Sequence, residues 1–189
     1  MKTFSFRPTL TLKGRKFKGL RGFSGKPFHP PLTDVPITAY LLVAGMDVVS
    51  FIGGESRGWA GDLWRVGAWV MAAGLAASLL AMLTGYVDAR ASSEAGTQAR
   101  RTINSHAAIM VVVTVLAAVD LALRLAGYHD HGASPVGIMV LSIVVAALVA
   151  VGATFGGSLV FEYGFNVETA GDHPVWHRSE TDVMPGEHD

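Results

Sequence analysis

The 189-residue chain has no cysteine, and only 16% of its residues are charged. Without cysteine the chain cannot form disulfides, attach haem through CxxCH, ligate an iron–sulfur cluster or build a thiolate zinc site; carboxylates and imidazoles remain as metal ligands. The scarcity of charge, with 50% hydrophobic residues and a mean hydropathy of +0.39, excludes an ordinary soluble domain. Net charge is missing as well, since fifteen Lys and Arg balance fifteen Asp and Glu. A nucleic-acid binder needs a basic excess to neutralise phosphates, so no nucleic-acid partner is expected.

What the chain has instead is long apolar runs. A bilayer core about 30 Å thick asks for roughly 20 apolar residues at about 1.5 Å each. Four runs qualify, at about 35–54, 66–87, 103–127 and 135–161. Asp47 interrupts the first, where Pro36 suits a first-turn position that needs no N–H. The second and fourth are apolar all round, unlike the two-faced helices of a soluble bundle. The expected fold is all-α, a four-helix transmembrane bundle (35–163) between a basic leader (1–34) and an acidic tail (164–189). Eight basic residues precede the first run, unlike a cleaved signal peptide.

Lys and Arg also set the expected direction. Eight lie before the first span, two in the first loop and three in the second, with Arg124 near the third loop and Arg178 in the tail. Positive-inside bias then makes both termini cytoplasmic. Trp59, Trp64 and Tyr128 fall at the outer interface and Phe161, Tyr163 and Phe165 at the inner one, as aromatic belts do. The zero net charge resolves into a basic leader, suited to anionic lipid or to insertion, and an acidic tail on the same side.

Ionisable groups inside spans are costly and tend to face the bundle interior. Thr102, His106, Asp120 and Arg124 share one stripe of the third span, and Asp47 lies at a depth comparable to Asp120. Asp120 and Arg124 are i,i+4 with the acid first, the favourable order for a helical pair. Asp47, Asp120 and Arg124 therefore read as a structural clamp between two helices, with a proton or ion path as the second reading. Little supports a path, because between His106 and Asp120 the stripe offers only apolar residues and the off-face Thr114.

At the inner end His29 and Asp34 precede the first span, Thr84 and Asp88 end the second, and Thr102 and His106 begin the third. Thr154, Ser158 and Glu162 close the fourth. Asp34, Asp88, Ser158 and Glu162 are thus expected as a polar cytoplasmic cluster. His29 and His106 are the pair that could serve as axial imidazoles of a b-type haem, or with a carboxylate hold zinc or iron. A His–carboxylate network without cofactor is the plain alternative. His129, His131, His173 and His177 read as solvated. Small residues at helical spacing, Gly74 with Ser78, Ala81 with Gly85 and Gly152 with Gly156, allow close backbone approach within the bundle or to a second copy.

Four segments carry a family resemblance: KPFHPPLTDVPITAY, WRVGAWVMAAGLAASLLAMLTGYVDA, RRTINSHA and GGSLVFEYGFNVE. In this order they resemble an uncharacterised bacterial domain-of-unknown-function family of predicted membrane proteins with a four-span domain, over about Phe28 to Val167. His29, Pro30, Asp88, His106, Gly156, Gly157 and Glu162 match its motif positions; Asp34 and Tyr163-Gly164 depart from histidines that some members carry. Members sometimes joined to Rieske-type ferredoxin or cytochrome domains imply a link to membrane electron transfer. With no cysteine here, any iron–sulfur partner would be a separate protein. The expectation is a multi-pass protein of a bacterial plasma (inner) membrane. Its expected role is a non-enzymatic accessory or anchoring component of a redox system, with a haem b carrier on His29 and His106 and a small proton or ion conductor as alternatives.

Overall fold

The computed structural model describes residue 20 and residues 27–165. Four helices run in chain order: α1 (His29–Gly53), α2 (Gly58–Ser92), α3 (Gln98–Ala126) and α4 (Val136–Phe161). All four are long and apolar enough to cross a membrane. The basic leader, apart from residue 20 and residues 27–34, and most of the acidic tail with His173 and His177 lie outside the described residues.

Each helix packs on its two neighbours in a ring, α1 on α2, α2 on α3, α3 on α4 and α4 on α1. Successive helices alternate in direction, so α1 and α3 stand diagonally opposed, as do α2 and α4. The apolar centre comprises Tyr40 and Val43 from α1, Met71 from α2, Val113 and Ala117 from α3, and Val145 and Val149 from α4. The two ends of the bundle are polar, one around His29 and His106 and the other around Arg124.

The helix ends follow from local chemistry. α1 begins at His29, before its apolar run does, because Pro30 and Pro31 occupy first-turn positions where a missing N–H costs nothing. Pro36 is not in the first turn; it is buried within α1. Thr97 caps α3 by accepting the Arg100 N–H at 3.1 Å. The Arg100 guanidinium reaches back to the Ala89 carbonyl at 2.9 Å, placing a cation at the C-terminal end of α2. Gly54 ends α1 with φ of 74°, a left-handed value that glycine adopts without strain.

Lipid offers no hydrophobic gain for joining helices, so close packing and polar contacts hold the bundle. A Cβ added at Gly74 would meet Ala39 Cβ at 2.8 Å and Tyr40 Cε1 at 3.0 Å. Tyr40 lies over this glycine and its hydroxyl shares a 2.7 Å hydrogen bond with Ser78 Oγ. Gly152 and Gly156 face Met110 and His106 of α3, so the GxxxG pair packs within the chain. Gly74→Ala should destabilise the protein by about 1–3 kcal/mol through overpacking. Gly45→Ala, where a Cβ meets nothing within 4 Å, should leave the thermal midpoint in detergent unchanged or slightly raised.

Candidate functional site

At one end of the bundle, α3 places Asp120 and Arg124 one turn apart and both fully buried. The Arg124 Nε–H donates to Asp120 Oδ1. Its Nη groups cross the diagonal to α1 and grip Asp47 in a fork, Nη2 on Oδ2 and Nη1 on Oδ1 at 3.1 Å. Gly67 of α2 leaves the room, since a Cβ there would stand 3.0 Å from Nη1. Trp64 of α2 lies under the guanidinium, with Arg124 Cζ 5.0 Å from its ring centroid.

The connections between helices close over this charge cluster. The Ser134 hydroxyl donates to Asp47 Oδ1 at 2.6 Å, and its backbone N–H donates to Ser50 Oγ at 2.9 Å. Ser50 in turn donates to the Ala60 carbonyl at 2.7 Å. Asp47 is thus a carboxylate with three donors. Trp64, assigned from sequence to the outer aromatic belt, is fully buried here; it packs on Arg124 rather than at a lipid interface. Trp59 and Trp69 are the exposed tryptophans of this end, and the Trp69 Nε1–H donates to Tyr128 Oη at 3.1 Å.

The opposite end holds the two imidazoles. His29 begins α1, and its Nδ1–H donates to the Ala81 carbonyl of α2 at 2.9 Å, with Thr84 Oγ1 at 3.3 Å. Its ring lies on Gly85, where a Cβ would meet His29 Cε1 at 2.7 Å. His106 of α3 repeats the arrangement on α4. Its Nδ1–H donates to the Gly152 carbonyl at 2.9 Å, and its ring lies near Gly156, where a Cβ would meet Cε1 at 3.2 Å. Each imidazole is therefore bonded to a carbonyl and seated on the glycine four residues later. With Nδ1 fixed as the donor, Nε2 carries the free lone pair of the neutral ring. Among the described residues neither Nε2 has a hydrogen-bond partner. His29 lies within electrostatic reach of both Asp88 and His106.

The other polar residues of this end are spread out. Asp88 is buried beside the His29 seat, where its Oδ1 accepts the Leu20 N–H at 2.8 Å. Asp34 is exposed on α1. Ser158 donates to Glu162 at 3.2 Å on the exposed end of α4, and Thr154 donates to its own helix at Val151. Thr102 is buried and donates to the Gln98 carbonyl at 3.2 Å. In the connection before α4, His131 packs edge-on to Trp64 and His129 edge-on to Tyr128. No group of three or more His, Asp or Glu suited to a metal ion occurs among the described residues.

Sequence reasoning did not find Trp64, Gly67, Ser50 and Ser134 around the charge pair, or the carbonyls of Ala81 and Gly152 at the imidazoles. A usable signal lay in the spacing. His29 precedes Asp47, and His106 precedes Arg124, by the same eighteen residues, five helical turns.

The model of a family described as predicted membrane protein (DUF2231) matches residues 25–169. No curated protein and no solved structure matches the chain. Replacing Arg124 by Met should cost about 3–5 kcal/mol, because buried Asp47 loses its counter-charge and buried Asp120 its donor. The check is a large drop in thermal midpoint in detergent, with Asp47→Asn also destabilising.

Proposed function

The chain belongs to the family of predicted membrane proteins (DUF2231), and from that premise we propose that it is a non-enzymatic component of a membrane redox system, holding a b-type haem between His29 and His106. The supporting observation is the matched pair of imidazoles on opposed helices. Each commits Nδ1–H to a backbone carbonyl, which fixes tautomer and ring direction and leaves Nε2, the nitrogen suited to a haem iron. Bundles build cofactor sites in this way, from side chains on facing helices.

The two imidazoles are held by small residues over an apolar layer. Ala81, Gly85, Gly152 and Gly156 make room for the two imidazoles themselves, and the Tyr40, Val43, Met71 and Val113 layer beyond them keeps water from the membrane interior. When bound, the haem supplies a one-electron carrier. His29 and His106 would hold and orient it, and the Ala81 and Gly152 carbonyls would make both rings better ligands by accepting from Nδ1–H. An iron–sulfur partner of such a system would be a separate protein, since this chain has no cysteine. In a bacterial inner membrane with cytoplasmic termini, the charged leader and tail would border the same face. Ion conduction has less support, because the core between the two polar ends is apolar and the Thr114 hydroxyl is bonded to the Met110 carbonyl at 2.8 Å.

The test is an absorption spectrum of the full chain, expressed with haem supplied and purified in detergent. A Soret band lost in both His29→Ala and His106→Ala is the expected result. Gly85→Ala should perturb the band more than Gly156→Ala, because its Cβ meets the imidazole at 2.7 Å rather than 3.2 Å. A folded, colourless wild-type preparation would overturn the reading.

A further inference from the structure

The Arg124 cluster is not charge-balanced. Asp47 and Asp120 face a single guanidinium, all three fully buried, so two ionised carboxylates would leave one negative charge inside the bundle. A buried net charge of this kind is strongly unfavourable, and a proton is the simplest species that removes it. Among the described residues the surrounding groups bring no second cation, Arg57 of the α1–α2 connection standing over Trp59. Asp62 and Arg65 of α2 pair with each other at the surface, α4 has no ionisable residue, and His131 meets Trp64 rather than the carboxylates.

Hydrogen bonding distinguishes the two acids. Asp47 accepts from Arg124 twice and from Ser134, the environment of an anion. Among the described residues, Asp120 accepts from Arg124 at Oδ1, while its Oδ2 is buried with no partner. Both connections at this end, residues 54–57 and 127–135, are among the described residues.

We infer that this cluster is a binding site for one proton, carried on Asp120 Oδ2 against the fixed Asp47–Arg124 pair. The site is separate from the imidazole end and does not rest on the haem reading.

Infrared spectroscopy of the full chain in lipid at neutral pH tests it. The expected result is the carbonyl stretch of a protonated carboxylic acid, shifted by deuterium exchange and by carbon-13 labelling of Asp, and absent from Asp120→Asn. Because the amide resembles a neutral acid, Asp120→Asn should keep the wild-type thermal midpoint, whereas Asp47→Asn should lower it. Absence of the band in the wild type, its persistence in Asp120→Asn, or its loss on adding sodium at constant pH would each overturn the proposal, the last by identifying a monovalent cation as the ligand.

Discussion

The bundle depends on where one guanidinium can go. Arg124 cannot lose its charge by deprotonation, and buried in a membrane protein it must find acceptors inside the chain. It finds them on its own helix at Asp120 and across the diagonal at Asp47. Meeting that demand constrains the surroundings. α2 needs a glycine at 67 to admit the guanidinium and Trp64 to cover it, and the connection before α4 needs Ser134 to complete the Asp47 shell. Three helices and the connection leading into α4 are thereby brought into register at one end by a single side chain and its partners. In lipid this matters more than in water, because no hydrophobic gain holds the helices together.

The same diagonal organises the other end. α1 carries His29 and Asp47, α3 carries His106 and Arg124, and the separation within each helix is five turns. Each imidazole leans on the following helix in the same manner, on a carbonyl and on the glycine four residues later. The burial pattern repeats as well: Pro36, Tyr40, Val43 and Asp47 are buried on α1 at the positions that Val113, Ala117, Asp120 and Arg124 occupy on α3. The two hairpins are thus built to one plan with different side chains. Where α1 offers a large Tyr40 against Gly74, α3 offers a small Ala117 in a core that α4 fills with Val145. Asp120 has Val43 as its counterpart, so it is the carboxylate added to an otherwise balanced pair.

Much of the fold is legible in the sequence because a membrane leaves a chain few choices: an apolar run long enough to span must be helical. The helix ends were less legible. Hydropathy marks where apolar residues start, whereas α1 starts at a proline pair and α3 at a threonine cap, both in polar sequence. Contacts within one helix can be read from spacing, as for Asp120 and Arg124. Contacts across the bundle cannot, since depth made Asp47 a candidate without selecting the diagonal. Trp64 shows the same limit. A tryptophan near a span end suits a lipid interface equally well, and only the cation beside it, on another helix, draws it inside. Backbone acceptors such as Ala81 and Gly152 leave no trace in residue type; Gly85 and Gly156 mark them indirectly, by making room for a ring.

A site between diagonally opposed helices depends on a spacing that adjacent-helix packing does not by itself secure. Ridges in grooves tolerate sliding and rotation of one hairpin against the other, and the α2–α3 seam is the least extensive of the four. A slip of one hairpin by a single residue shifts it about 1.5 Å along the other, enough to carry one imidazole away from its counterpart while each stays on its own glycine. The forked Arg124–Asp47 contact resists that slip, because its two parallel hydrogen bonds tolerate little change in either coordinate. The apolar layers between the ends transmit the constraint as a rigid body. Buried charge at one end therefore holds the geometry at the other, which gives a physical reason for a costly ion pair to lie five turns from the two imidazoles.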